Sequence, residues 1–152
     1  MIFIHFVYFL ISHEKEEGMG KITFTKAHYI TLGKDFCYAD ECIRAGILKV
    51  DWKKQKIEDI RNKKWNLLKQ QIVKEMNFSH AATHDFNSLR AIAEATPDEI
   101  WITRQGDDVW WGKMESTPLK QDESKSKYRI IQDGWSNTDI NGTKLKIDKT
   151  GK

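Results

Sequence analysis

Apolar positions recur with a strand-like period in the first and last thirds of the chain and with a helical one between them. In residues 21–32, Ile22, Phe24, Tyr29 and Ile30 are the apolar members of an alternation that predicts a strand. Gly33, Lys34 and Asp35 break it. Asp35 is placed to cap a short helix through Ala45, and Gly46 is a suitable residue just past its end. Residues 47–52 then read as a second strand. From Ile57 the period changes: Ile57, Ile60, Trp65, Leu68, Ile72 and Met76 fall on one helical stripe, with a break expected near Asn62. Residues 79–83 read as a linker, Asp85 as the cap of a helix carrying Phe86, Leu89, Ile92 and Ala93, and Thr96-Pro97 as its stop. The remainder returns to β structure. A hairpin over 100–114 turns at Gly106-Asp107-Asp108, and residues 128–135 and 144–147 supply further strands. The polar stretch 115–127 between them reads as a mobile loop. The pattern predicts an α+β fold in which five or six short strands, with a helical insertion, close as a small β-barrel.

A chain of 152 residues supports one domain, and 39% hydrophobic with 31% charged residues is a soluble globular balance. The net charge of +3 is too small for a protein that binds nucleic acid by charge alone. Its distribution is uneven: Lys53, Lys54, Lys56, Arg61, Lys63, Lys64 and Lys69 crowd one region. Such runs are ordinarily solvated helix faces. Cys37 and Cys42 match neither a redox pair nor a zinc knuckle and are expected to be reduced, in a cytoplasmic protein. Residues 1–11 are apolar but too short to span a bilayer, and they lack the basic region and cleavage site of a secretory signal. Glu14-Lys-Glu-Glu-Gly before Met19 implies purine-rich codons of the kind that precede a bacterial start. The expected division is therefore a non-native leader over 1–18, one domain over 19–149 and a tail over 150–152. An edge strand or a membrane-touching tail is the other reading of residues 1–18.

The aromatic residues change the picture most. Trp101, Trp110, Trp111 and Trp135 lie in or beside strand-like segments that also carry Arg and Lys, and Trp52 ends the second strand. An indole stacks well on a flat heterocycle or a cation, and basic neighbours suit a phosphate backbone. At least one of these rings is expected at an open site; the competing reading places them all in the core. Trp65 belongs to the helical stripe and is assigned to the core.

Three stretches resemble the PUA-like superfamily and, within it, the EVE and YTH-type modified-base readers: Tyr29-Ile-Thr-Leu-Gly33, Cys42-Ile-Arg-Ala-Gly-Ile-Leu-Lys-Val-Asp-Trp52, and Ile100-Trp-Ile-Thr-Arg104 with Trp110-Trp-Gly-Lys113. The resemblance implies an aromatic pocket on a barrel face that holds a modified base, most naturally in DNA. The rings would come from Trp52, Trp101, Trp110, Trp111 and Trp135. Asp51, Thr103 and Asn137, with Asn141 nearby, are the polar candidates for the base edge. Lys34, Lys53, Lys54, Arg104, Lys113 and Arg129 are the candidates for the nucleic-acid backbone. No cofactor is implied. Bacterial domains of this kind resemble the sensors of modification-dependent restriction systems, so a separate nuclease or translocase subunit is the expected partner.

Catalytic patterns are sparse. His80-Ala-Ala-Thr-His84 has the spacing of some zinc sites but lacks the Glu of a metalloprotease helix. There is no Gly-rich phosphate loop, no Gly-x-Ser-x-Gly elbow and no nucleophilic Cys context. An enzyme is not the expectation. Three alternatives remain beside the DNA reading: an RNA-binding domain of the same fold, a metal-dependent hydrolase using His80, His84 and a carboxylate, and a protein-interaction subunit whose tryptophans are all buried.

Overall fold

The structure, a computed structural model, describes residues 22–147, so the expected leader and tail lie outside the described residues. Along those residues run β1 (Lys26–Tyr29), α1 (Ala39–Ala45), β2 (Ile47–Val50), α2 (Ile57–Arg61), α3 (Trp65–Glu75), α4 (His80–Glu94), β3 (Glu99–Gln105), β4 (Asp108–Lys113), β5 (Lys120–Gln121) and β6 (Lys127–Ile130).

Local chemistry accounts for most of these boundaries. Gly46 ends α1 in the left-handed conformation at φ 66°, and its amide returns to the Cys42 carbonyl. Gly106 takes φ 59° as the first central residue of the two-residue β3–β4 turn, the position at which that turn favours glycine. The long helical stripe breaks where expected. Asn62 follows α2, Lys63 turns at φ 55°, and α3 restarts at Trp65.

Other boundaries differ from the sequence pattern. The first strand shrinks to four residues. The helix expected from Asp35 starts only at Ala39, because Asp35 and Phe36 sit at φ 53° and 60° in a tight turn at Lys34–Phe36. Residues 80–83 are not a linker but the first turn of α4, where Ala81 and the buried Ala82 favour the helix. The polar stretch 115–127 contains β5, which pairs with β6. Its tip is fastened by the Asp122 carboxylate, which accepts bonds from the Ser124 hydroxyl, the Ser126 amide and the Lys49 ammonium. Residues 144 and 146 make isolated bridges instead of a regular strand.

The expected barrel is not formed among the described residues. The strands form two three-stranded sheets, β1–β3–β4 and β2–β6–β5, with β1 parallel to β3 and the other pairs antiparallel. One Met114–Ile131 bridge joins them at a corner. Closure would need further pairing at the outer edges, but β5 has only two residues and pairs only with β6. The helices cover the apolar faces instead: Leu68, Ile72, Phe86, Leu89 and Ile92 share one buried cluster with Leu48, Val50 and Trp101. A smaller cluster of Ile102, Val109 and Leu145 lies on the other face of β3 and β4.

Candidate nucleic-acid interface

Register on β3 and β4 decides where the tryptophans point. Thr103 pairs with Trp110 and Trp101 with Gly112, so these side-chain positions share the face turned to the main core. Trp111 pairs with Ile102 and faces the smaller cluster. Trp101 is only 3% exposed and stacks on His28 with ring centres 4.2 Å apart. His28 in turn contacts the Glu99 carboxylate at 3.3 Å. Trp135 is buried and donates from Nε1 to the Ile47 carbonyl at 2.8 Å. Trp111 is half-buried, and its indole N–H is held by the Thr138 carbonyl at 2.8 Å. Trp110 is half-buried and packs against the main core. The Nε1 atoms of Trp101 and Trp110 are buried with no hydrogen-bond partner among the described residues. Trp110 and Trp111 thus point to opposite faces of the hairpin, and Trp101 and Trp135 lie in the core.

Trp52 is also half-buried against the core, at a strained φ of 40°. A residue that the sequence pattern did not single out fastens this bend. Lys127 is fully buried, and its ammonium donates to the carbonyls of Trp52 and Lys125, each at 2.8 Å. Burial pushes its pKa below the ordinary lysine range. Two places along β6, Arg129 is 3% exposed. Its guanidinium donates to the carbonyls of Ile92, Ala93 and Ala95 at the end of α4, and to that of Glu115. Arg129 thus caps a helix C-terminus and is turned away from solvent.

The remaining candidates are scattered. Thr103 is buried and donates to the Ile30 carbonyl. Asp51 accepts the Tyr38 hydroxyl at 2.6 Å, a bond that helps push the Tyr38 pKa up to about 12. Asn137 is half-buried beside the C-terminal bridges, with its carbonyl bonded to the Leu145 amide, and Asn141 is exposed. Lys34, Lys53 and Lys54 are exposed. Arg104 is exposed over the Phe36 ring, 4.9 Å from its centre. Lys113 is half-buried and donates to the Thr23 carbonyl. His80 and His84 are exposed on the first turns of α4. Among the described residues, no group of three or more His, Cys, Asp or Glu side chains is placed to hold a metal ion.

Trp65, the tryptophan assigned to the core, is half-buried and packs against the main cluster, and it also lines a cleft. A cleft of about 390 Å³ lies between the α2–α3 corner, the end of α4 and the loop before β5. That volume falls within the roughly 300–1,000 Å³ usual for small-molecule sites. Ile60, Pro118 and Leu119 supply apolar lining, and Trp65 contributes its half-buried indole. Phe86 braces that ring edge-on at 6.4 Å, and the Arg90 guanidinium lies 5.5 Å from its centre. Arg61 and Lys63 place two cations in the lining. Arg61 donates from Nε and Nη2 to the Leu119 carbonyl, which ties the α2 end to the loop across the cleft. Lys63 has no ion-pair partner among the described residues, whereas Lys64 is paired with Asp59 at 2.8 Å. Lys53, Lys54, Lys56 and Lys69 are exposed on the same stretch of chain.

No family model, curated protein or solved structure matches the chain. Among the described residues, no helix is long and apolar enough to cross a membrane.

Proposed function

We propose that the protein is a nucleic-acid-binding module that receives one unpaired base in the Trp65 cleft and holds the strand's phosphates on the cations of the α2–α3 corner. The observation that carries this reading is the cleft itself: an indole and aliphatic side chains form its lining, and Arg61 and Lys63 share it. Stacking a base on an aromatic side chain contributes about 1–3 kcal/mol, and cations beside it add a salt-dependent phosphate term. The resemblance to modified-base readers supplies the finer form of the proposal, a DNA strand carrying a modified base in a modification-dependent defence system. Its support is the quoted sequence stretches alone.

Fluorescence anisotropy with labelled single-stranded DNA, single-stranded RNA and duplex DNA tests the reading. Single strands should bind, binding should weaken with added salt, and Trp65→Ala should reduce affinity by about tenfold or more, the equivalent of one stacking contact. Selective loss of affinity when ribose replaces deoxyribose identifies the DNA form, because the 2′-hydroxyl is the group that differs. Oligonucleotides with a methylated or hydroxymethylated base test the finer form. Absence of binding to every oligonucleotide would refute the proposal and leave the interaction-subunit reading ahead.

A further inference from the structure

The cleft contains one acidic side chain beside its aromatic wall. Glu94, the last residue of α4, joins Trp65 in the lining. Arg90 links the two: its guanidinium lies over the Trp65 ring, 5.5 Å from its centre, so that a base stacking on that face displaces it, and its Nε donates to the Glu94 carboxylate at 3.1 Å. That contact engages only Oε2; Oε1 has no partner among the described residues. A carboxylate has about four lone-pair sites and no donor when ionised, so Glu94 can accept further N–H bonds beside the ring.

An acceptor-only group beside a stacking surface discriminates among bases. Guanine presents two neighbouring donors, N1–H and the N2 amino group, on its Watson–Crick edge. A carboxylate can take both in parallel, as it does with a guanidinium. Adenine and cytosine each set an acceptor nitrogen beside their single amino group, and uracil or thymine flanks its one N–H with two carbonyl oxygens. For these bases, in-plane approach of a carboxylate brings acceptor against acceptor. The cations in the cleft meanwhile suit the phosphate attached to the same nucleotide.

We propose that Glu94 makes this cleft guanine-selective: the base stacks on Trp65, its Watson–Crick edge donates to the Glu94 carboxylate, and its phosphate meets Arg61 and Lys63. This rests on the base-binding reading above and specifies which base. The test uses a short oligothymidylate carrying one central guanine, adenine or cytosine, with isothermal calorimetry on the full chain. The guanine strand should bind about tenfold or more tightly than the others, as one well-made pair of charge-assisted hydrogen bonds implies. Glu94→Gln keeps the shape but replaces one acceptor with a donor. It should remove the guanine preference, while thermal melting verifies that the fold is retained. Equal binding of all three strands, or a preference that survives Glu94→Gln, overturns guanine selection and leaves base binding intact. Failure of all three strands to bind overturns both.

Discussion

Tyr38 and Asp51 show how a contact across thirteen residues of sequence sets the chemistry of a single group. The Tyr38 hydroxyl donates to the Asp51 carboxylate at 2.6 Å, and loss of that proton would bring two anions together. This bond is the largest cause of the rise in the Tyr38 pKa from 10.0 to about 12, with burial adding to it. The fold thus favours the neutral phenol. Its stabilising effect is fully present below pH 10.0 and is lost as pH rises towards about 12. Spectrophotometric titration should place one tyrosine near about 12, and Asp51→Asn should bring that residue back towards 10.0. An unchanged titration curve in the variant would assign the shift to another cause. Lys127 poses the opposite case at the same scale. Its buried ammonium is disfavoured by desolvation but ties the carbonyls of two left-handed residues, Trp52 at φ 40° and Lys125 at φ 68°.

At the scale of elements, α4 has no basic residue of its own in the last turn, and β6 supplies the missing charge through Arg129. Removing that guanidinium leaves carbonyls from α4, Ala95 and Glu115 without their donor, each at a cost of about 1–3 kcal/mol when buried. Arg129→Ala should therefore destabilise by several kcal/mol in chemical denaturation, whereas Arg104→Ala on the exposed surface should change little. Equal, small effects would show that water replaces the cap. The α3–α4 corner makes a contrasting case. Asn77 and Phe78 sit at φ 50° and 56°, and the Phe78 ring is 79% exposed. Phe78→Gly relieves a left-handed strain without removing a core contact, so the melting temperature should stay level or rise.

For the whole molecule, Trp101 and Trp65 have opposite expected roles. Trp101→Ala should cost roughly 3–5 kcal/mol, because a large buried ring leaves a cavity. Trp65→Ala should give a smaller loss of stability together with weaker nucleic-acid binding. Thermal melts beside anisotropy titrations separate the two, and a Trp101 variant of native stability would contradict its place in the core. The local elements are legible in the residue pattern: the Gly46 helix stop, the Gly106 hairpin turn, the break after Arg61 and the stripe of Ile60, Leu68 and Ile72. These depend on backbone sterics and on partners within a few residues. Alternation also established that Trp110 and Trp111 point to opposite faces, but not which face other elements would cover. Long-range packing sets the rest: β6 buries Lys127 and Arg129, the two sheets of the described residues stay open, and Trp65 lines a cleft. The cleft is closed on one side by a bond from Arg61 to the Leu119 carbonyl, 58 residues away. Burial and concavity come from packing at such separations, where a periodic pattern along the chain carries no information about the partner.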